Sequence, residues 1–150
     1  MTEPASIRKA SKDDLAAILA LYAEVGDSEG LHLSEAERIL DRMACYPSYA
    51  VYVAEREDEI VGTFALLIMD NLAHCGAPSG VVEDVVVHPC WQGQGIGKAM
   101  MRFAMRKCAE AGCYKLALSS NVVREPAHRF YESLGFEVHG YSFRIDVEEI

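Results

Sequence analysis

Residues 92–98 read Gln92-Gly93-Gln94-Gly95-Ile96-Gly97-Lys98, directly behind the apolar run 81–88 and the turn Pro89-Cys90-Trp91. Glycines let a backbone pass close to a ligand in dihedrals that a Cβ forbids, and the unpaired N–H groups of the helix that follows attract anions. The chemistry of such a loop is phosphate binding, and a pyrophosphate is the expected ligand. A dinucleotide fingerprint requires Gly-x-Gly-x-x-Gly and an acidic residue about 20 positions on. Here Gly93, Gly95 and Gly97 are evenly spaced, the strand lies mid-chain and no such acid follows. A P-loop requires Gly-x-x-x-x-Gly-Lys before a hydroxyl, but Gln92 and Ala99 occupy the flanking positions.

The elements that must hold this loop can be read from periodicity. Residues 81–88 form an apolar strand interrupted by Glu83 and Asp84, and Ile96, Ala99, Met100, Phe103, Ala104 and Cys108 mark the inner face of a long helix that Gly112 ends. A strand over 114–120 then leaves no room for a hairpin, so strand, helix and strand form a parallel βαβ unit. Upstream, a short strand at 6–10 precedes a helix with a Ser11/Asp14 capping signal and a buried face of Leu15, Ile18, Leu19 and Tyr22. Ser34 and Glu37 form a capping box for a second helix. Runs 49–54 and 60–69 pair as a hairpin around the polar turn Arg56-Glu57-Asp58-Glu59. Pro126 opens a last helix through Ser133, and 136–139 with 141–147 read as a closing hairpin. Asp27 to Leu33 and Asp70 to Gly80 are loops expected to shape a ligand pocket.

The chain has the size of one domain, 1–150, with a formal net charge of −9 that argues against binding nucleic acid through a general basic surface. Five cysteines without a Cys-x-x-Cys pair read as cytosolic thiols. His74 and Cys75 are too few to hold a metal, so none is expected. The amino terminus has neither a basic nor an apolar leader region, and no long apolar window suggests a membrane span. The expectation is a soluble cytoplasmic protein.

Gln92-x-x-Gly95-x-Gly97 after an apolar strand, with Glu125-Pro-Ala-His-Arg-Phe-Tyr-Glu-Ser-Leu-Gly-Phe136 downstream, resembles the GNAT superfamily of acetyl-CoA-dependent N-acetyltransferases. The runs Glu83-Asp-Val-Val-Val, Gly112-Cys-Tyr-Lys and Phe130-Tyr131 through Phe136 also resemble glucosamine-6-phosphate N-acetyltransferases and uncharacterised bacterial members. The resemblance implies an α/β fold with a mixed, mainly antiparallel sheet of about six or seven strands, a central splayed parallel pair and flanking helices. It implies acetyl-CoA as acyl donor, its pyrophosphate on the amides of Gly93, Gln94, Gly95, Ile96, Gly97 and Lys98 beside Gln92. The pantetheine arm then lies along Val85, Val86 and Val87, with Phe130 and Tyr131 beside the sulfur.

Under the same resemblance Tyr131 protonates the leaving thiolate. Glu83 or Asp84 serves as base for the attacking amine; Glu83 is favoured, directly or through water. Alternation lets only one of the pair face the thioester, unless a β-bulge of the family's kind changes both orientations. Many members carry Asn-x-x-Ala where this chain has Arg124-Glu-Pro-Ala127; Asn121 is a substitute for the missing side chain, and Arg124 contacts either a phosphate or solvent. The expected acceptor is a small-molecule primary amine. A covalent intermediate on Cys90, a protein acceptor and a non-catalytic acyl-CoA sensor are the alternatives. A second copy of the chain is a candidate partner, pairing through 141–147.

Overall fold

A computed structural model describes residues 4–26 and 30–147. Asp27 and Glu29, two acidic residues of the expected pocket loop, lie outside the described residues. The structure divides into two compact units between Leu118 and Ser119.

The first unit holds β1 (Ser6–Lys9), α1 (Leu15–Glu24), α2 (Leu33–Met43), β2 (Tyr49–Arg56), β3 (Glu59–Met69), β4 (Ser79–Val87), α3 (Ile96–Glu110) and β5 (Lys115–Ala117). They build one sheet in the order β1-β2-β3-β4-β5. Every pairing is antiparallel except β4 with β5. The hairpin between β2 and β3 turns on Glu57 and Asp58, both at positive φ (52° and 62°), as a two-residue turn of the hand that matches strand twist. Arg56, expected within that turn, instead ends β2 and is buried.

Helices cover both faces of the sheet. Leu15, Ile18 and Ala36 of α1 and α2 pack around Val53. On the other face Tyr52 stacks on Phe64 at 5.3 Å and meets Phe103 of α3 at 4.9 Å. Gly62 permits the close approach of α3: a Cβ there would lie 3.0 Å from Met100 Sδ and 3.2 Å from Ile96 Cγ2. Phe64, Met100 and Met101 are wholly buried; Met101 widens the inner face of α3 beyond the positions read from periodicity. The Ser34/Glu37 box does not start α2. His32 is the N-cap, its carbonyl accepting from the N–H groups of Glu35 and Ala36, so Ser34 lies inside the first turn.

Two features differ from the sequence reading in strand count. β5 is shorter than the expected 114–120 strand and ends at Ala117. Among the described residues of the second unit α4 (Glu125–Ser133) is the one element, and the expected closing hairpin is not formed. A strand exists only where a neighbour completes its ladder, and 137–147 makes no backbone hydrogen bond with the described residues. The sheet therefore has five strands, not six or seven.

The bracing of β1 is ionic. Arg8 donates from both terminal nitrogens to Asp14 (2.7 and 2.8 Å) and from Nε to Glu55 (3.0 Å), while Ser11 N–H donates to Asp14 (2.7 Å). These bonds, Arg8 foremost, lower the buried Asp14 carboxyl from 3.8 to about 2. A depressed carboxylate stabilises the fold above its unfolded pKa, and that contribution fades as pH falls toward the folded value. Asp14→Asn is expected to lose about 2 kcal/mol at neutral pH, the deficit narrowing between about pH 4 and pH 2. Urea unfolding of both proteins across that range measures it; a deficit independent of pH would exclude the ionic origin.

Candidate active site

β4 carries the two carboxylates through a break in its register. Thr63 pairs with Val86, whereas Ala65 pairs with Glu83, so β4 has one residue more than β3 over this stretch. The extra residue is accommodated at Asp84, which has φ of 53°, a conformation Asp tolerates better than most residues. The bulge breaks the alternation, and Glu83 and Asp84 are both exposed. Strict alternation, which would turn only one of the pair toward the thioester, does not hold here; the bulge alternative does. Tyr49 of β2 shares their surroundings: its phenol is raised above the ordinary value first by burial, then by the charges of Asp84 and Glu83. Sequence reasoning missed Tyr49, because only the register of three strands brings it near the carboxylates.

Beyond the bulge β4 has an open edge. Its parallel pairing with β5 covers Ser79, Gly80 and Val81 against Lys115, Leu116 and Ala117 and then stops, while β4 continues to Val87. On that side no strand among the described residues pairs with Val85, Val86 or Val87. An open strand edge presents N–H and C=O groups that an extended ligand can bond.

The glycine loop follows directly. Gly93 and Gly95 have φ of 77° and 82°, and a Cβ at either would meet no atom within 4 Å. Gly95 is the N-cap of α3, leaving the amides of Ile96, Gly97 and Lys98 in the first helical turn without intrahelical acceptors. The space before the glycines and these donors together fit a phosphate group. The glutamine side chains serve the loop itself. Gln92 Nε2 donates to Val87 O (3.3 Å), and Gln94 Nε2 donates to Cys90 O (3.4 Å). Both brace the turn, leaving anion contacts to its backbone. His88 accepts the backbone N–H of Cys90 on Nδ1 (3.1 Å), so this nitrogen is engaged by an amide and not by the Cys90 thiol. His74 stacks on Tyr114 at 4.1 Å. A groove of about 830 Å³ on the first unit, lined by β2 and by the C-terminal ends of α2 and α3, includes Tyr49 but none of the predicted site residues.

In the second unit α4 starts at Glu125, one residue before the expected Pro126, which lies in its first turn, and Gly135 at φ of 96° follows its end. Tyr131 packs between Phe130 (5.1 Å) and Phe136 (5.7 Å), and Phe136 N–H donates to its carbonyl (3.1 Å). Burial raises the phenol above its ordinary value, partly offset by the charge of Arg124. Asn121 turns inward on its own segment, its Oδ1 accepting from Val123 N–H (3.1 Å) and its carbonyl accepting from Arg124 N–H (3.0 Å) and lying 2.8 Å from His128 Nε2. Arg124 occupies the N-cap of α4 and is exposed.

The description "Acetyltransferase (GNAT) family" belongs to the family model that matches residues 15–136, and the chain belongs to that family. It is accordingly an acyltransferase. It is 32% identical over 142 residues to a glucosamine 6-phosphate N-acetyltransferase of Trypanosoma brucei brucei, covering 94% of this chain and 95% of that protein. An aminoalkylphosphonate N-acetyltransferase of Salmonella typhimurium is 29% identical over 141 residues, covering 91% and 88%. The crystal structure of glucosamine-6-phosphate N-acetyltransferase from Arabidopsis thaliana matches with a TM-score of 0.86 at 25% identity, over 97% of this chain and 100% of that one.

The loop geometry yields a stability prediction. Gly95→Ala has room for its methyl group but must hold the left-handed conformation, a cost of about 1–2 kcal/mol. A melting temperature lower by at least about 2–4 °C is expected. An unchanged melting temperature would show that residue 95 relaxes to another conformation.

Proposed function

We propose that the chain is a single N-acetyltransferase domain that moves the acetyl group of acetyl-CoA directly to a primary amine of a small molecule. The observation that carries this reading is the continuity of the open β4 edge with the left-handed glycine loop, one suited to an extended arm and the other to a diphosphate. The family match, running from residue 15 to 136, supports one domain across the division after Leu118.

Acetyl-CoA supplies a thioester whose carbonyl accepts the amine and whose sulfur leaves as a thiolate. In the proposed reaction Glu83, favoured, or Asp84 removes a proton from the acceptor ammonium, directly or through water. Both carboxylates are exposed and so within reach of a cationic acceptor. A backbone N–H of β4 donates to the developing oxyanion. Tyr131, a neutral phenol, donates its phenolic proton to the departing sulfur, and the second proton of the acceptor nitrogen is lost to water as the amide forms. Val85, Val86 and Val87 bond the pantetheine arm through their backbone, Gly93 to Lys98 hold the diphosphate, and Phe130 packs beside the sulfur. Asn121 and Arg124 stand at the start of α4 as the remaining cofactor contacts.

The relatives' names direct the choice of acceptors: amino-sugar phosphates and aminoalkylphosphonates head the panel, followed by polyamines and aminoglycosides. Acetyl-CoA with a productive amine should release CoA, detected as free thiol, with an N-acetylated product in mass spectrometry. CoA binding without release across the panel would favour an acyl-CoA sensor. Tyr131→Phe should cut turnover at least about 10²-fold with little change in CoA affinity. Glu83→Gln and Asp84→Asn, compared at pH 7, separate the base from its neighbour; the base variant should regain activity at high pH as the amine deprotonates unaided. Full turnover in all three variants would refute the assigned roles.

The proposed setting is the cytoplasm, where the five free cysteines remain reduced. No helix among the described residues is long and apolar enough to cross a membrane. A second copy of the chain is the proposed partner. Val138, Tyr141, Phe143, Ile145 and Val147 are 85–92% exposed, an alternating apolar set that pairing with a second copy would cover. Sedimentation should give a dimer for the wild type and a monomer for Phe143→Asp; a monomeric wild type would remove the second copy from the proposal.

A further inference from the structure

Arg56 is the least expected residue near the loop. It ends β2 and is 4% exposed, yet forms an ion pair with none of the described carboxylates. Among the described residues its one side-chain hydrogen bond runs from a terminal nitrogen to Gln94 Oε1 (3.2 Å), a neutral acceptor between the two left-handed glycines. Its guanidinium also lies 5.2 Å from the centroid of Trp91, in the turn that enters the loop. Nε is buried with no partner.

A guanidinium stays charged at any physiological pH. Burying that charge without a counter-ion costs stability, and leaving one of its donors unmade adds to the cost. Apolar replacement of a buried ionic group is often neutral or stabilising, so packing alone gives no reason for arginine here. Gln94 supplies the connection to the ligand site. It accepts from Arg56 and donates to Cys90 O, so the guanidinium fixes the peptide between Gly93 and Gly95. Its positive charge lies one hydrogen bond from the loop and so acts on whatever the loop amides hold.

We propose that Arg56 is a positioning residue for the diphosphate of the acyl donor. Through Gln94 and Trp91 it holds the glycine loop in its binding shape, and its otherwise uncompensated charge finds its counter-ion when the diphosphate docks. This rests on the reading of the loop as the coenzyme A site. The chain thereby distinguishes donors that carry the diphosphate from truncated thioesters that lack it.

Arg56→Met tests this, with Arg56→Lys as the charge-retaining variant. CoA binding is measured by calorimetry at low and high salt, and turnover is followed with acetyl-CoA and with S-acetylpantetheine, which has the thioester arm without the diphosphate. The expectation for Arg56→Met is a wild-type or higher melting temperature, CoA affinity weakened about tenfold or more, and a shallower salt dependence. S-acetylpantetheine turnover should be unchanged, and Arg56→Lys should recover part of the affinity. Wild-type CoA affinity in a folded Arg56→Met protein overturns the proposal, as does an equal loss with both donors. Should Arg56→Met fail to fold, Arg56→Lys decides: the proposal requires CoA affinity below the wild type with S-acetylpantetheine turnover unchanged, and wild-type CoA affinity overturns it. Failure of the wild type to bind CoA would instead reject the underlying site assignment.

Discussion

Parallel pairing between β4 and β5 stops after Val81 and Ala117, and the candidate site depends on that interruption. A fully zipped sheet would use the hydrogen-bonding groups of Val85 to Val87 internally. Because the ladder ends early, an edge lies in the interior of the strand order and not at its periphery. Gly80 contributes to this packing: a Cβ there would collide with Cys108 Sγ, so glycine lets α3 sit tightly over the paired end of the strands. α3 therefore rests on the closed part of the sheet, and its N-terminus stands by the open part.

Charge is handled differently by two arginines that meet neighbouring residues at the end of β2. At β1, Arg8 and Asp14 satisfy one another in a two-pronged pair that Glu55 and Ser11 extend. At the end of β2, Arg56 has only a neutral amide and an indole. Self-satisfaction suits a strap that holds the fold in all states. An unfinished arrangement suits a place whose last component arrives from solution.

The backbone frame was legible in the sequence where each residue acts locally. Gly93, Gly95 and Gly112 mark positions where the chain takes positive φ, and the apolar periodicity of α3 located its inner face apart from Met101. The loop and the Phe130-Tyr131 helix together implied the family to which the chain belongs. What stayed hidden required partners distant in sequence. Arg56 among charged residues reads as a turn, and only the two-residue hairpin at Glu57-Asp58 leaves it within β2. Tyr49 lies near Glu83 and Asp84 only after three strands have come into register. The alternation of 141–147 predicts a strand that is not formed among the described residues, because no pattern within the segment can say whether this chain supplies its ladder.

The left-handed backbone at Asp84 also limits which substitutions can be interpreted chemically. Asparagine and glycine tolerate a φ of 53° comparatively well, whereas alanine, glutamate and β-branched residues carry a conformational penalty there. An alanine scan would thus confound loss of a carboxylate with a disturbed bulge, and a swap to glutamate would keep the charge while straining its support. Evolutionary drift at this position is channelled in the same way: the short acidic side chain can lose its charge to asparagine with little backbone cost, so acidity here can disappear more readily than the bulge that presents it.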